Sequence, residues 1–113
     1  MNASRQPIES LAGEVTRLEQ LIDVQAGSIV SRTLVQADDA TVTLFAVDEG
    51  QRISEHTAPH HAMVHVIEGV AEITIDGEHH RVGEGELLVI PPDAPHALTG
   101  EEPCKMLLTM VRT

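Results

Sequence analysis

The chain has 113 residues, of which 18 are acidic and 7 basic, giving a formal net charge of −11, and 42% of its residues are hydrophobic. This length suits one domain, because two smaller units would each bury too little of their own surface. The scarcity of Lys and Arg argues against a nucleic-acid or membrane partner, since anionic phosphates are bound by clustered cations. Phe45 is the only aromatic residue, so a stacking platform for bases is lacking and we expect no nucleotide cofactor.

The chain shows neither a membrane span nor a targeting signal. No apolar run approaches the roughly 20 residues that cross a bilayer, and the first residues, MNASRQPIES, lack the regions of a signal peptide. We therefore expect a cytoplasmic protein. The single cysteine, Cys104, lies in the apolar run CKMLLTMV, where we predict that it packs as a small core side chain.

The first predicted element is amphipathic and covers residues 7–22. Its apolar side chains recur at steps of three and four residues, at Ile8, Leu11, Val15 and Leu18. This spacing is typical of one face of a helix, although Gly13 weakens the helical propensity. We predict a short N-terminal helix or arm within residues 1–27, followed by a barrel domain over residues 28–113.

After Gly27 the apolar period changes from the helical value to two. The segments SIVSRTLVQ, TVTLFAVD, AMVHVIEG, AEITIDG, HHRV, GELLVIP and CKMLLTMVRT are rich in β-branched residues. Turn signals separate them, at Asp38-Asp39, Gly50, Gly69 and Asp76-Gly77. About eight short strands with closely spaced turns predict an all-β sandwich or barrel.

Two stretches of the chain resemble the two sequence motifs of the cupin family. Residues 50–69, GQRISEHTAPHHAMVHVIEG, resemble the first motif, and residues 85–96, GELLVIPPDAPH, resemble the second. With their flanking strands they cover about residues 28–112. The resemblance implies a double-stranded β-helix, the jelly-roll or RmlC-like barrel, of the kind found in small bacterial cupins of uncharacterised function. It also implies a stand-alone barrel that forms a homodimer.

The resemblance also indicates where a metal would lie. In metal-binding cupins, three histidines and a glutamate converge on one divalent ion inside the barrel. His56 and His96 stand at the first and last of these positions, whereas Ala58 and Ala62 stand where the second histidine and the glutamate belong. Asp93 occupies the position of a motif glycine.

Other histidines close to the first motif supply candidates for a third metal ligand. Iron, manganese, nickel, copper and zinc all accept imidazole. In an extended chain every second side chain points to the same face. This alternation favours His60 as the third ligand, because it would share a face with His56. A bulge at Pro59 would shift this alternation by one residue and place His61 on that face instead. His65 is the third candidate for this ligand. The predicted metal site is therefore His56, His60 and His96, with His61 as the alternative; the other interpretation of His60 and His61 is a solvated loop residue.

Three functional hypotheses follow from these residues, and none assigns a catalytic residue. The first is a divalent-metal-dependent dioxygenase or isomerase that acts on a small organic molecule, favoured by the extra histidines. The second is a non-catalytic cupin that binds or senses a small molecule in the barrel without metal, favoured by Ala58 and Ala62. The third is a purely structural barrel. His79 and His80 follow a turn, and we expect both to be exposed.

Overall fold

A computed structural model describes residues 11–112, which form nine strands and a short 3-10 turn at Leu18–Gln20. The strands are β1 (Ile29–Gln36), β2 (Ala40–Val47), β3 (Arg52–His56), β4 (His61–Glu68), β5 (Val70–Ile75), β6 (Glu78–Gly83), β7 (Leu87–Ile90), β8 (His96–Gly100) and β9 (Cys104–Val111). Within this part of the chain, no helix has the length and apolar character to cross a membrane.

The strands form two antiparallel sheets that face each other. The larger sheet has the order β1-β2-β9-β4-β7, and the smaller has the order β3-β8-β5-β6. The chain passes repeatedly from one sheet to the other, as in a jelly roll, and this confirms the predicted all-β barrel. The core lies between the two inner faces.

Strand β4 shows how the alternating sequence builds this core. Ala62, Val64 and Val66 are buried, whereas Met63 and His65 between them are partly exposed. Successive side chains of a strand point to opposite faces, so one face of β4 packs inward against the core cluster of both sheets.

Two of the predicted turns close hairpins. Asp76 and Gly77 join β5 to β6 with φ values of 51° and 80°, and positive φ at both central residues is the requirement of a type I′ turn. The aspartate pair at positions 38 and 39 lies between β1 and β2, where Ala37 N–H donates to Ala40 O at 2.9 Å.

The predicted N-terminal helix or arm is, over the residues that the structure describes, an arm with a short 3-10 turn; the first residues of the prediction, 7–10, lie outside that range. Between residues 12 and 28 the one helical element is the 3-10 turn at Leu18–Gln20. Gly13 has a φ of 79°, which is incompatible with a continuous right-handed helix. The segment is therefore an arm and not an amphipathic helix.

Contacts with the larger sheet provide hydrogen bonds for backbone carbonyls of the arm that are not paired within a helix. Lys105 Nζ donates to Glu19 O at 2.6 Å, and Arg32 Nη1 donates to Leu21 O at 3.1 Å. These two nearly buried cations satisfy backbone carbonyls that a helix would have paired internally. Ile22 is buried with Leu44 and Ala46 of the sheet and Leu18 packs against this cluster, whereas Val15 of the predicted apolar stripe is fully exposed.

Candidate ligand site in the barrel

A cavity of about 270 Å³ lies between the two sheets. Its wall is mainly apolar, and among residues 11–112 the only polar side chains that line it are those of His56 and His96. The apolar lining residues are Phe45, Ile53, Val64, Ile73, Ile90, Leu98, Met106 and Leu108. The cavity is therefore a site to which the described part of the chain contributes two imidazoles and an otherwise apolar wall.

Strand pairing brings the two histidines together. His56 is the last residue of β3 and His96 the first of β8, and the antiparallel register places them opposite each other. Their ring centroids are 4.2 Å apart, with the planes inclined by 58°. His56 is exposed and His96 is partly buried, so the pair lies at the open end of the cavity.

Backbone carbonyls fix the tautomer of both rings. Nδ1 of His56 lies 2.9 Å from Ser54 O, and Nδ1 of His96 lies 2.9 Å from Ala94 O. A carbonyl oxygen only accepts hydrogen bonds, so each Nδ1 carries the hydrogen, and in a neutral imidazole Nε2 then holds a lone pair. Within residues 11–112 neither Nε2 has a hydrogen-bond partner, so both are available to a ligand.

The structure does not bring a third histidine to this cavity. His60 lies in the connection before β4 and lines a separate depression with Asp38, Thr41 and Arg112. His61 begins β4 and is exposed, and it does not line the cavity.

The positions of these histidines determine whether the cavity has enough ligands for a metal ion. Among the residues described, no group of three or more His, Cys, Asp or Glu side chains is placed to hold one. A catalytic zinc site, for comparison, uses three protein ligands. His56 and His96 supply two, so this donor set does not by itself fit a resident ion, and the set that includes His60 stays a prediction.

The residues at the substituted motif positions have clear structural roles. Ala62 is buried on the inner face of β4, 2% exposed. Ala58 O accepts a hydrogen bond from Asp93 N at 2.8 Å, which ties the first motif to the second. Asp93 has a φ of 65°, and Asp is one of the few residues other than Gly that adopt this region readily.

The individual apolar residues that line the cavity are the part of the site that was not named from the sequence. Leu98 lies two residues after His96 on β8, and Ile53 belongs to the same strand as His56. Alternation along β8 alone would have placed Leu98 in the site.

The remaining titratable side chains named from the sequence lie away from the cavity. His79 Nδ1 is 3.0 Å from Glu72 Oε1, and its side chain is 69% exposed, as expected. His80 is less exposed than expected, at 31%, with Nε2 3.2 Å from Glu78 Oε1. Cys104 is buried in the core as predicted, and burial raises the pKa of its thiol to about 11.

Comparison with known proteins agrees with this architecture. The family model described as "Cupin domain" matches residues 43–110. A conserved protein of unknown function from Streptococcus pyogenes, SPY1581, is 44% identical over 89% of each chain, with a TM-score of 0.86. A cupin superfamily protein from Desulfitobacterium hafniense is 25% identical over 89% of this chain and 93% of the other, with a TM-score of 0.85.

A third solved structure matches only part of a longer chain. The Cupin 2 conserved barrel domain protein from Leptotrichia buccalis is 35% identical over 84% of this chain and 46% of its own, with a TM-score of 0.83. No curated protein matches at a significant score. Because the family model spans more than half of the chain and coincides with the barrel strands, this protein belongs to the cupin family.

Proposed function

We propose that the barrel binds a small, largely apolar organic molecule and does so without a resident metal ion. The observation that carries this proposal is the composition of the cavity wall, which consists of apolar side chains and the His56–His96 pair. Concave sites that are mainly apolar, with a few convergent polar groups, are typical of small-molecule binding.

The size of the cavity limits the ligand to roughly one substituted ring or a short branched chain. A cavity of about 150 Å³ is sufficient for benzene, whereas drug-sized ligands occupy roughly 300–1,000 Å³. The volume of about 270 Å³ lies between these values.

Ligand titration of a matched pair of variants tests this proposal. Leu108 lines the cavity, whereas Leu107, its neighbour on β9, packs on the opposite face of the sheet with the arm. We expect toluene and 4-ethylphenol to shift the methyl NMR signals of lining residues in the wild type. Leu108→Phe should weaken this binding, and Leu107→Phe should leave it unchanged once circular dichroism shows that both variants fold.

Two outcomes would contradict the proposal. Absence of binding by both compounds at millimolar concentration would remove the case for a small apolar ligand. Equal weakening by the two variants would place the binding somewhere other than the cavity.

The second candidate is a metal-dependent dioxygenase or isomerase in the same barrel. The two unpartnered Nε2 atoms at one end of the cavity favour it, and it requires His60, or His61, to approach as third ligand. A bound divalent ion would supply Lewis-acid or redox chemistry there. The role of His56 and His96 would be to hold that ion through Nε2, each ring being oriented by its carbonyl partner.

Metal content separates the two candidates. Mass spectrometry of the untagged protein should find about one ion per chain if the metal site exists, and none if the ligand-binding proposal is correct. His56→Ala with His96→Ala should abolish a barrel site. His79→Ala with His80→Ala is the control for adventitious binding at the other histidine pair.

We also propose that the protein is a homodimer, as the resemblance implies. Leu87 and Val89 on β7, an edge strand, are 58% and 50% exposed, and exposed apolar side chains on an edge favour association. Sedimentation velocity should give the mass of a dimer for the wild type. A monomer at micromolar concentration, or a dimer unaffected by Leu87→Glu with Val89→Glu, would contradict this interface.

A further inference from the structure

We infer that the ligand of this cavity is a hydrogen-bond donor: an apolar molecule that carries a hydroxyl group, such as a phenol or an alcohol, in preference to a carboxylate or a phosphate. The inference rests on the proposed function, because it specifies the chemistry of the molecule that the cavity would hold. It follows from which hydrogen-bonding groups the wall presents and which it lacks.

The polar end of the cavity presents acceptors. Both Nδ1–H groups are already used, by Ser54 O and Ala94 O, and turning either ring to offer its N–H to a ligand would break that bond. In the neutral state each ring therefore presents the Nε2 lone pair. With centroids 4.2 Å apart, the two rings place two acceptors at the same end of the site.

The described residues of the wall present no side-chain donor that would receive an anion. None of those that line the cavity is Arg, Lys, Ser, Thr, Asn, Gln, Tyr or Trp. A carboxylate placed there would face two acceptors and an apolar surface, and it would lose part of its hydration without gaining a hydrogen-bond donor. The net charge of −11 adds repulsion at longer range.

A hydroxyl group suits a site that presents two acceptors and an apolar wall. Its hydrogen is donated to one Nε2, while the apolar part of the molecule occupies the space bounded by residues such as Leu98 and Leu108. A molecule of equal shape without the hydrogen, such as a methyl ether, occupies the same space and donates no hydrogen bond to either Nε2. Loss of a single neutral hydrogen bond of this kind corresponds to roughly 3–10-fold in affinity.

Isothermal titration with three matched compounds tests the inference. The compounds are 4-ethylphenol, its methyl ether 4-ethylanisole, and 4-ethylbenzoate, at a pH where ¹⁵N chemical shifts show both rings neutral and protonated at Nδ1. We expect the phenol to bind roughly 3–10-fold more tightly than the ether, and the benzoate to bind most weakly. In the double variant His56→Phe with His96→Phe, which keeps two planar rings and removes both acceptors, the preference for phenol should fall towards one, and in His79→Phe it should not change.

The outcomes distinguish this inference from the proposed function. If the ether binds as tightly as the phenol, or the benzoate binds more tightly than either, the donor preference is overturned while the apolar cavity remains a binding site. If none of the three compounds binds, the proposed function is overturned and the inference with it. The comparison of the compounds on the wild type needs no substitution, so a variant that fails to fold does not affect the result.

Discussion

Gly69, between β4 and β5, is expected to tolerate substitution far less than another glycine of the same backbone conformation. Its φ is 78°, and a Cβ at this position would overlap Pro103 O and lie 2.9 Å from the Cα of Cys104. Gly50 has a φ of 79°, and a Cβ there would have no atom within 4 Å. The substitutions Gly69→Ala and Gly50→Ala therefore share the backbone strain and differ in the steric overlap.

The magnitude of each substitution follows from these two terms. Alanine at positive φ costs about 1–2 kcal/mol, and the reduced freedom of the unfolded chain offsets about 0.4–1 kcal/mol of this. Gly50→Ala should then lower the free energy of unfolding by about 1 kcal/mol. At Gly69 the start of β9 must also move, at Cys104, which is 1% exposed, and overpacking of this kind costs about 1–3 kcal/mol more.

Urea unfolding followed by circular dichroism measures both losses on the same scale. We expect Gly69→Ala to lose about 2–4 kcal/mol, which corresponds to a fall in Tm of roughly 10–20 °C for a domain of this size. The difference between the two variants reports the overlap alone. Equal losses for the two substitutions would show that the connection relaxes without disturbing the core, and would refute the reasoning.

Three further predictions concern side chains that hold the barrel together. Hydrogen bonds from the backbone N–H groups of Gly27 and Glu49 hold the pKa of Asp48 below its usual value of 3.8, so its contribution to stability is present above that pH and is lost as the pH falls through the lowered pKa. Asp48→Asn should therefore destabilise at pH 7 and have little effect at pH 2 in urea unfolding. The thiol of Cys104, whose pKa burial raises to about 11, should react with Ellman's reagent at pH 8 only after unfolding. Lys105→Met removes the hydrogen bond to the arm, and we expect faster amide hydrogen exchange in the arm while the barrel strands keep their protection.

Each of these predictions has a result that would contradict it. A loss from Asp48→Asn that is as large at pH 2 as at pH 7 would mean that the carboxylate charge is irrelevant to its role. Labelling of the folded protein at the rate of the unfolded chain would show that Cys104 is reached by transient opening. Unchanged exchange in the arm of Lys105→Met would assign its attachment to apolar packing alone.

The fold was predictable because its signals are local. Alternation along β4 places Ala62, Val64 and Val66 inward, and Asp76-Gly77 has the sequence of a type I′ turn. These patterns depend on neighbouring residues, and the structure confirms them. The arm was not predictable in the same way, because its conformation depends on Lys105 and Arg32, which are distant in sequence and reach its carbonyls from the sheet.

The candidate site was predictable only in part, for a related reason. The two motifs placed His56 and His96 in one site, and the register of β3 with β8 brings them opposite each other. The choice of His60 relied on the alternation of side chains along an extended chain. Strand β3 ends at His56 and the next strand begins at residue 61, so the alternation of side chains does not extend across the segment between them. His60 lines a different depression.

One of the two alanines at positions where the resemblance places a metal ligand, Ala62, allows a direct test of why no metal-holding group is found among the described residues. Ala62 lies on the inner face of β4, at the position where the resemblance places a glutamate. Ala62→Glu should destabilise the protein when no metal is present, because it buries a carboxylate among apolar side chains.

Added nickel should then restore stability, because the glutamate with His56 and His96 completes a set of three ligands. An ion at 100 times its dissociation constant stabilises the folded state by about 2.7 kcal/mol, which thermal unfolding with and without nickel detects. The wild type, which has two of these ligands, should show no comparable gain, and His79→Ala with His80→Ala in the Ala62→Glu background should leave the gain intact. An equal gain in the wild type would mean that a third ligand already reaches the pair, and the metal-free proposal would then be wrong. A gain confined to Ala62→Glu would show that one substitution separates a metal-binding barrel from one whose interior suits an apolar ligand.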